Sequence, residues 1–128
     1  MLKPEVPVHS LRGFGAFSTI ISAGNVLLDK PLGMFYVFDG NLPDNIYVGF
    51  AVTKKLHRAV DRNRIKRLMR ESFRIHKMML VKKKMNGELK LVIMYAGSKM
   101  KSPMTVALHE VSSSMLALLN RIPSELMS

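Results

Sequence analysis

The sequence contains no cysteine, which removes disulfide frameworks, thiolate metal sites and cysteine nucleophiles and leaves the redox compartment open. Acids are scarce, nine Asp and Glu against twenty Lys and Arg, and they are scattered singly. No carboxylate pair, histidine cluster or nucleophile with a neighbouring base stands out, so neither a catalytic nor a metal-binding residue is expected on the protein. No apolar run approaches the roughly 18 residues needed to cross a bilayer. The segment from Met1 to Pro7 lacks the apolar core of a signal peptide. These absences lead to the expectation of a soluble, unexported, cytoplasmic protein with no membrane contact. Repeats and low-complexity tracts are absent as well.

What is present fits one domain over residues 1–128, because 128 residues at 48% hydrophobic can bury a real core but leave no room for a second. Residues 1–10, with Pro4 and Pro7, read as a flexible arm. Leu11, Phe14, Phe17, Ile20 and Ile21 recur at helical steps, so a short helix ending at Gly24 is expected. Asn25 to Leu28 reads as a short strand broken by Asp29-Lys30-Pro31. Met34 to Phe38 and Ile46 to Thr53 are runs of strand formers. The turn-rich linker Asp39 to Asn45 predicts that they form an antiparallel pair. Leu89 to Tyr95 is apolar almost throughout, as a covered central strand would be. Ala96 to Ser102 reads as loop. A last helix near Pro103 carries Val106, Leu108, Val111, Met115, Leu118, Leu119 and Ile122 as its buried stripe.

Between the second strand run and Leu89 lies a helix starting between Arg58 and Arg62, with Asp61 as its expected cap. With Ile65 as the zero of a helical wheel, Leu68, Met69, Ser72, Ile75, His76 and Met79 fall within about 80° and form the expected buried side. Asn63, Lys66, Arg67, Arg70, Arg74 and Lys77 share the opposite arc, a comb of cations without a carboxylate; Glu71 lies outside it. From Lys54 to Lys84 there are thirteen Lys and Arg against Asp61 and Glu71, which accounts for the entire net charge of +11. Like charges at i,i+4 cost about 0.2–0.5 kcal/mol a pair, so a polyanionic partner is the expected neutraliser. Lys82 to Lys84 reads equally well as a solvated turn, and His57 and His76 as structural histidines. The methionines at 34, 69, 78, 79, 94 and 115 read as packing residues.

The run Val48-Gly49-Phe50-Ala51-Val52-Thr53-Lys54-Lys55, then Ala59-Val60 and Arg62-Asn63-Arg64-Ile65-Lys66-Arg67-Leu68-Met69-Arg70-Glu71, resembles the signature of the protein subunit of bacterial ribonuclease P. The resemblance is densest over residues 46–74 and weaker but collinear elsewhere. It implies an α/β (α+β) two-layer sandwich of order αβββαβα, with a mixed four-stranded sheet and a left-handed crossover around the basic helix. The residues alone favour the usual right-handed connection. It also implies a catalytic RNA subunit, ribonuclease P RNA, with which the protein removes the 5′ leader of precursor tRNA. Mg2+ would then be held mainly by RNA phosphates, and no protein partner is required.

By the same resemblance, Lys54, Lys55, Arg58, Arg62, Asn63, Arg64, Lys66, Arg67, Arg70 and Arg74 are the expected RNA-binding residues. Phe17, Ile21, Tyr36 and Val48 are the expected lining of a leader-binding cleft between the first helix and one face of the sheet, whereas the residues alone favour plain core for Phe17 and Tyr36. Three departures from the family pattern bear on this: Ile21 stands where many members have a second aromatic, the arm is less basic, and His57-Arg58 replaces the usual glycine before Ala-Val. A non-catalytic RNA scaffold such as a ribosomal protein is the alternative reading. A basic amphipathic helix for membranes or a calmodulin-like partner is a third, but it would need the apolar face that the strands require as core.

Overall fold

Strand β5, Glu88–Tyr95, is the axis of the fold, and its composition explains why. Leu89, Leu91, Val92, Ile93 and Tyr95 are all buried, so apolar side chains must be covered on both faces of the strand. A computed structural model describes residues 6–52, 59–81, 86–95 and 108–127. Within them the order is β1 (Val8–Ser10), α1 (Phe14–Ala23), β2 (Asn25–Asp29), β3 (Leu32–Asp39), β4 (Asn45–Val52), α2 (Ala59–His76), α3 (Met78–Val81), β5 and α4 (Leu108–Met127).

The strands form one mixed sheet in the order β1-β4-β5-β3-β2. Two expectations are corrected here. The sheet has five strands rather than four, because part of the supposed arm is strand β1, paired parallel to β4 from Val8↔Ile46 to Ser10↔Val48. Backbone bonds from Ile46 N to Pro7 O (2.9 Å) and from Leu11 N to Val48 O (2.8 Å) extend that pairing at both ends. Val6 and Val8 add apolar contact with the core, which ties the segment down.

The second correction concerns β3 and β4, which run in opposite directions but are not neighbours. Strand β5 lies between them, antiparallel to β3 and parallel to β4. Five residues separate β3 from β4, enough extended chain to step over one strand at about 4.8 Å spacing per pairing. Turn composition reverses the chain; it does not choose the neighbour. The strand with the most apolar surface takes the centre, where both of its edges are also paired.

Alternation assigns the two faces. Ile46, Val48, Phe50 and Val52 of β4 share a face with Leu89, Leu91, Ile93 and Tyr95, and this face meets α2 and α4 in the main core. From α4 come Val111, Met115, Leu118, Leu119 and Ile122, all fully buried as the stripe predicts. Val106 and Pro103 of that expected helix, and the Ala96 to Ser102 loop, lie outside the described residues. Helix α1 covers the other face and ends at Gly24, whose N–H donates to Ile20 O at 2.8 Å. Among the described residues no helix is long and apolar enough to cross a membrane.

Candidate nucleic-acid interface

Helix α2 is held by Ile65, Met69, Ser72 and Phe73, all buried. The expected wheel is therefore slightly rotated. Ile75 is 48% exposed, whereas Phe73, at 5%, takes the buried place and packs edge-on against Phe50 with ring centroids 5.9 Å apart. The cause is that β4 and α4 flank the helix unequally: β4 draws Phe73 inward, and α4 meets the helix at His76, whose Nε2 lies 2.6 Å from Ser112 Oγ. Leu68, His76 and Met79 are half-buried. Asp61 is buried in the first turn rather than preceding the helix as a cap, and there its charge complements the positive end of the helix dipole.

The outward arc carries the comb as expected. Asn63, Arg67, Arg70 and Arg74 are exposed, and Lys66 and Lys77 are half-buried. One member is not simply presented to solvent. Arg74 Nε donates to Glu71 Oε2 at 3.1 Å, and Nη2 makes a second bond to Oε1, a bidentate pair across i,i+3. The hydrogen bond from Arg74 holds the Glu71 carboxyl below its ordinary value, and the guanidinium charge adds to that effect. Reciprocally, Glu71 raises Arg74. Glu71, set outside the comb by the wheel, thus reaches one of its teeth. Arg62 and Arg64 are half-buried, and each already has a partner within the chain. Lys54, Lys55, Arg58 and His57 lie outside the described residues, as do Lys82 to Lys84.

The second expected surface is divided by the sheet. Phe17 stands over Gly49 on the α1 face: a Cβ at position 49 would lie 2.8 Å from Phe17 Cε2 and closer still to Cζ, so only glycine leaves room for the ring. Ile21, on the same helix, is half-buried. Tyr36 and Val48, by contrast, are 6% and 7% exposed and belong to the main core on the opposite face. The four residues therefore do not line one cleft. Strand alternation separates them, since Tyr36 shares its face with Met34 and Phe38, and Val48 shares its face with Ile46 and Phe50. What α1 does enclose with the sheet is a cavity of about 270 Å³ lined by Gly15, Ala16, Thr19, Ile20, Val37 and Lys90. Val37 and Lys90, paired in register across β3 and β5, escaped the sequence reading. The two-residue period of Gly49 holds only along β4; Val37 and Lys90 reach this face through the register Tyr47↔Lys90 and Lys90↔Val37, which no local pattern gives.

Among the described residues no three His, Asp or Glu side chains converge as metal ligands.

The Ribonuclease P family model matches residues 7–122. The ribonuclease P protein component of Staphylococcus haemolyticus is 43% identical over 61 residues, which are 48% of this chain and 52% of that protein. The corresponding protein of Alkaliphilus metalliredigens is 38% identical over 60 residues, 47% of this chain and 52% of that one. These alignments span about half the length of the curated relatives. The fold extends further. The RNase P protein of Thermotoga maritima superposes with a TM-score of 0.69 at 24% identity, covering 88% of this chain and 96% of that one. The Staphylococcus aureus RNase P protein gives 0.62 at 21%, covering 88% and 93%. With the family model spanning the sheet, the basic helix and most of α4, this chain belongs to the ribonuclease P protein family.

Proposed function

We propose that the chain is the protein component of a bacterial ribonuclease P, acting as one RNA-binding unit in the cytoplasm. It binds the catalytic RNA subunit through the outer face of α2 and the single-stranded 5′ leader of precursor tRNA through the α1 face of the sheet. The observation that carries this reading is the one-signed arc of α2, held outward by the burial of Ile65, Met69 and Phe73. Arg67 and Arg70 offer planar forks suited to phosphate oxygens, Lys66 and Lys77 offer point charges, and Asn63 offers a donor and an acceptor for a ribose hydroxyl or base edge. The deep groove of A-form RNA is closed to side chains, so backbone and shape contacts govern this interface. Lys54, Lys55 and Arg58, which precede α2 in sequence, are counted among the RNA-binding residues on the strength of the family resemblance.

The leader cleft is assigned to Phe17, Ile21, Val37 and Lys90, with Tyr36 and Val48 supporting the sheet from the core side. Cleavage of the phosphodiester belongs to the RNA, which also holds the magnesium. The protein's contribution is affinity and placement. Purified protein added to a bacterial ribonuclease P RNA at low magnesium should stimulate removal of the leader from precursor tRNA. Absence of stimulation by well-folded protein overturns the proposal, as does cleavage by the protein alone.

A further inference from the structure

Beyond the Phe17 cleft, the α1 face of the sheet carries an ordered row of side chains across four strands. His9 of β1 is in register with Tyr47 of β4, Tyr47 with Lys90 of β5, and Lys90 with Val37 of β3. The His9 and Tyr47 rings are stacked, with centroids 5.0 Å apart and planes 29° from parallel. His9 Nε2 lies 3.1 Å from Asn45 Oδ1, which fixes the turn of the imidazole about its own axis. Strand β1 is the edge of the sheet and His9 is exposed, so among the described residues one ring face of a two-ring stack is left uncovered.

We propose that His9 and Tyr47 form a stacking platform for a nucleobase of single-stranded RNA. This rests on the leader-binding reading above and extends it past the Phe17 cleft to the β1 edge. The base continues the stack on the outer face of His9, as bases do on aromatic side chains carried by open sheet faces. Charge along the row fits such a strand. Lys90 Nζ, 3.5 Å from Glu88 Oε1, remains partly exposed between the platform and the cavity under α1, and Arg12 is exposed just after β1. Asp44, exposed and preceding Asn45 in the chain, disfavours a phosphate beside Asn45. The strand accordingly runs from the α1 cavity over Lys90 and Tyr47 to His9. Stacking tolerates any base, so the platform adds affinity without sequence preference.

The test measures affinity of the assembled protein and RNA for precursor tRNAs whose leaders are lengthened one nucleotide at a time. Phe17→Ala should weaken binding from the shorter leaders onward. His9→Ala should weaken it about fivefold or more, the lower end of base stacking on a ring, but only once the leader is long enough to reach the edge strand. His9→Phe should restore it. Melting of each variant checks that β1 remains docked. Equal weakening of all leaders and of mature tRNA by His9→Ala would mean that the pair only fastens β1 to β4, and the platform is overturned. No effect of His9→Ala while Phe17→Ala still weakens binding overturns the platform alone. No effect of either variant removes the leader-binding reading and the platform with it.

Discussion

Replacing Arg67 and Arg70 together by alanine isolates the part of α2 that faces outward without a role in the core. Both side chains are exposed, and the residues that hold the helix, Ile65, Met69 and Phe73, point the other way. Folding should therefore change by no more than about 0.5 kcal/mol. RNA binding should change in a way that salt reveals. Each phosphate contact contributes about 0.7 to 0.9 to the slope of log affinity against log salt, so losing two flattens it by about 1.4 to 1.8. Over a fourfold rise in salt the parent protein should then lose about seven- to twelvefold more affinity than the variant. Arg74 provides an internal control, because its guanidinium is already shared with Glu71. Arg74→Ala should flatten the slope less than Arg70→Ala, and Glu71→Gln should steepen it by releasing Arg74. Since Arg74 holds the Glu71 carboxyl below its ordinary value, the pair persists above the usual carboxylate range and is lost only as pH falls through the lowered value. The measurement is a titration of ribonuclease P RNA with each variant at several salt concentrations near neutral pH. An unchanged slope in the double variant would refute the phosphate comb, and a larger effect at Arg74 than at Arg70 would refute the accounting of charges along it.

Two further substitutions test the packing that presents these surfaces. Phe73→Ala should destabilise by about 3–5 kcal/mol in chemical denaturation, and Ile75→Ala should stay within about 0.5 kcal/mol; similar values for the two would mean that the helix is rotated from the described orientation. Gly49→Ala forces a methyl into the Phe17 ring and should cost about 1–3 kcal/mol, with much of that loss recovered when Phe17→Ala is added. Strictly additive losses would show that the ring is free to move aside.

Much of this organisation was legible in the residues. The α4 stripe from Val111 to Ile122, the end of α1 at Gly24 and the cationic arc of α2 follow from period and capping, which are local properties. The errors arise where a local signal was asked a non-local question. Asp39 to Asn45 announces a reversal, yet the partner of β3 was decided by Leu89 to Tyr95, some fifty residues on in the chain. Residues 8–10 lack a strong strand pattern of their own and are ordered by the exposed edge of β4. On α2, the wheel could not know that Phe50 would meet Phe73, which set the helix slightly askew from its own hydrophobic symmetry. At the leader cleft the resemblance named plausible rings, but Tyr36 sits at an even position on a strand whose odd positions face α1. Counting by twos from Gly49 places Tyr47 on the α1 face, whereas Val37 is placed there only by strand register through Lys90.

The late position of β5 in the chain also governs when the molecule can become itself. During synthesis β3 and β4 emerge well before the strand that must separate them; β3 can pair with β2 and β4 with β1, but neither gains its second neighbour until Glu88–Tyr95 has left the ribosome. Helix α4 closes the core later still. Beyond the β2–β3 hairpin, assembly must therefore bring distant segments together, a demand that slows folding and keeps unpaired strand edges open in the nascent chain.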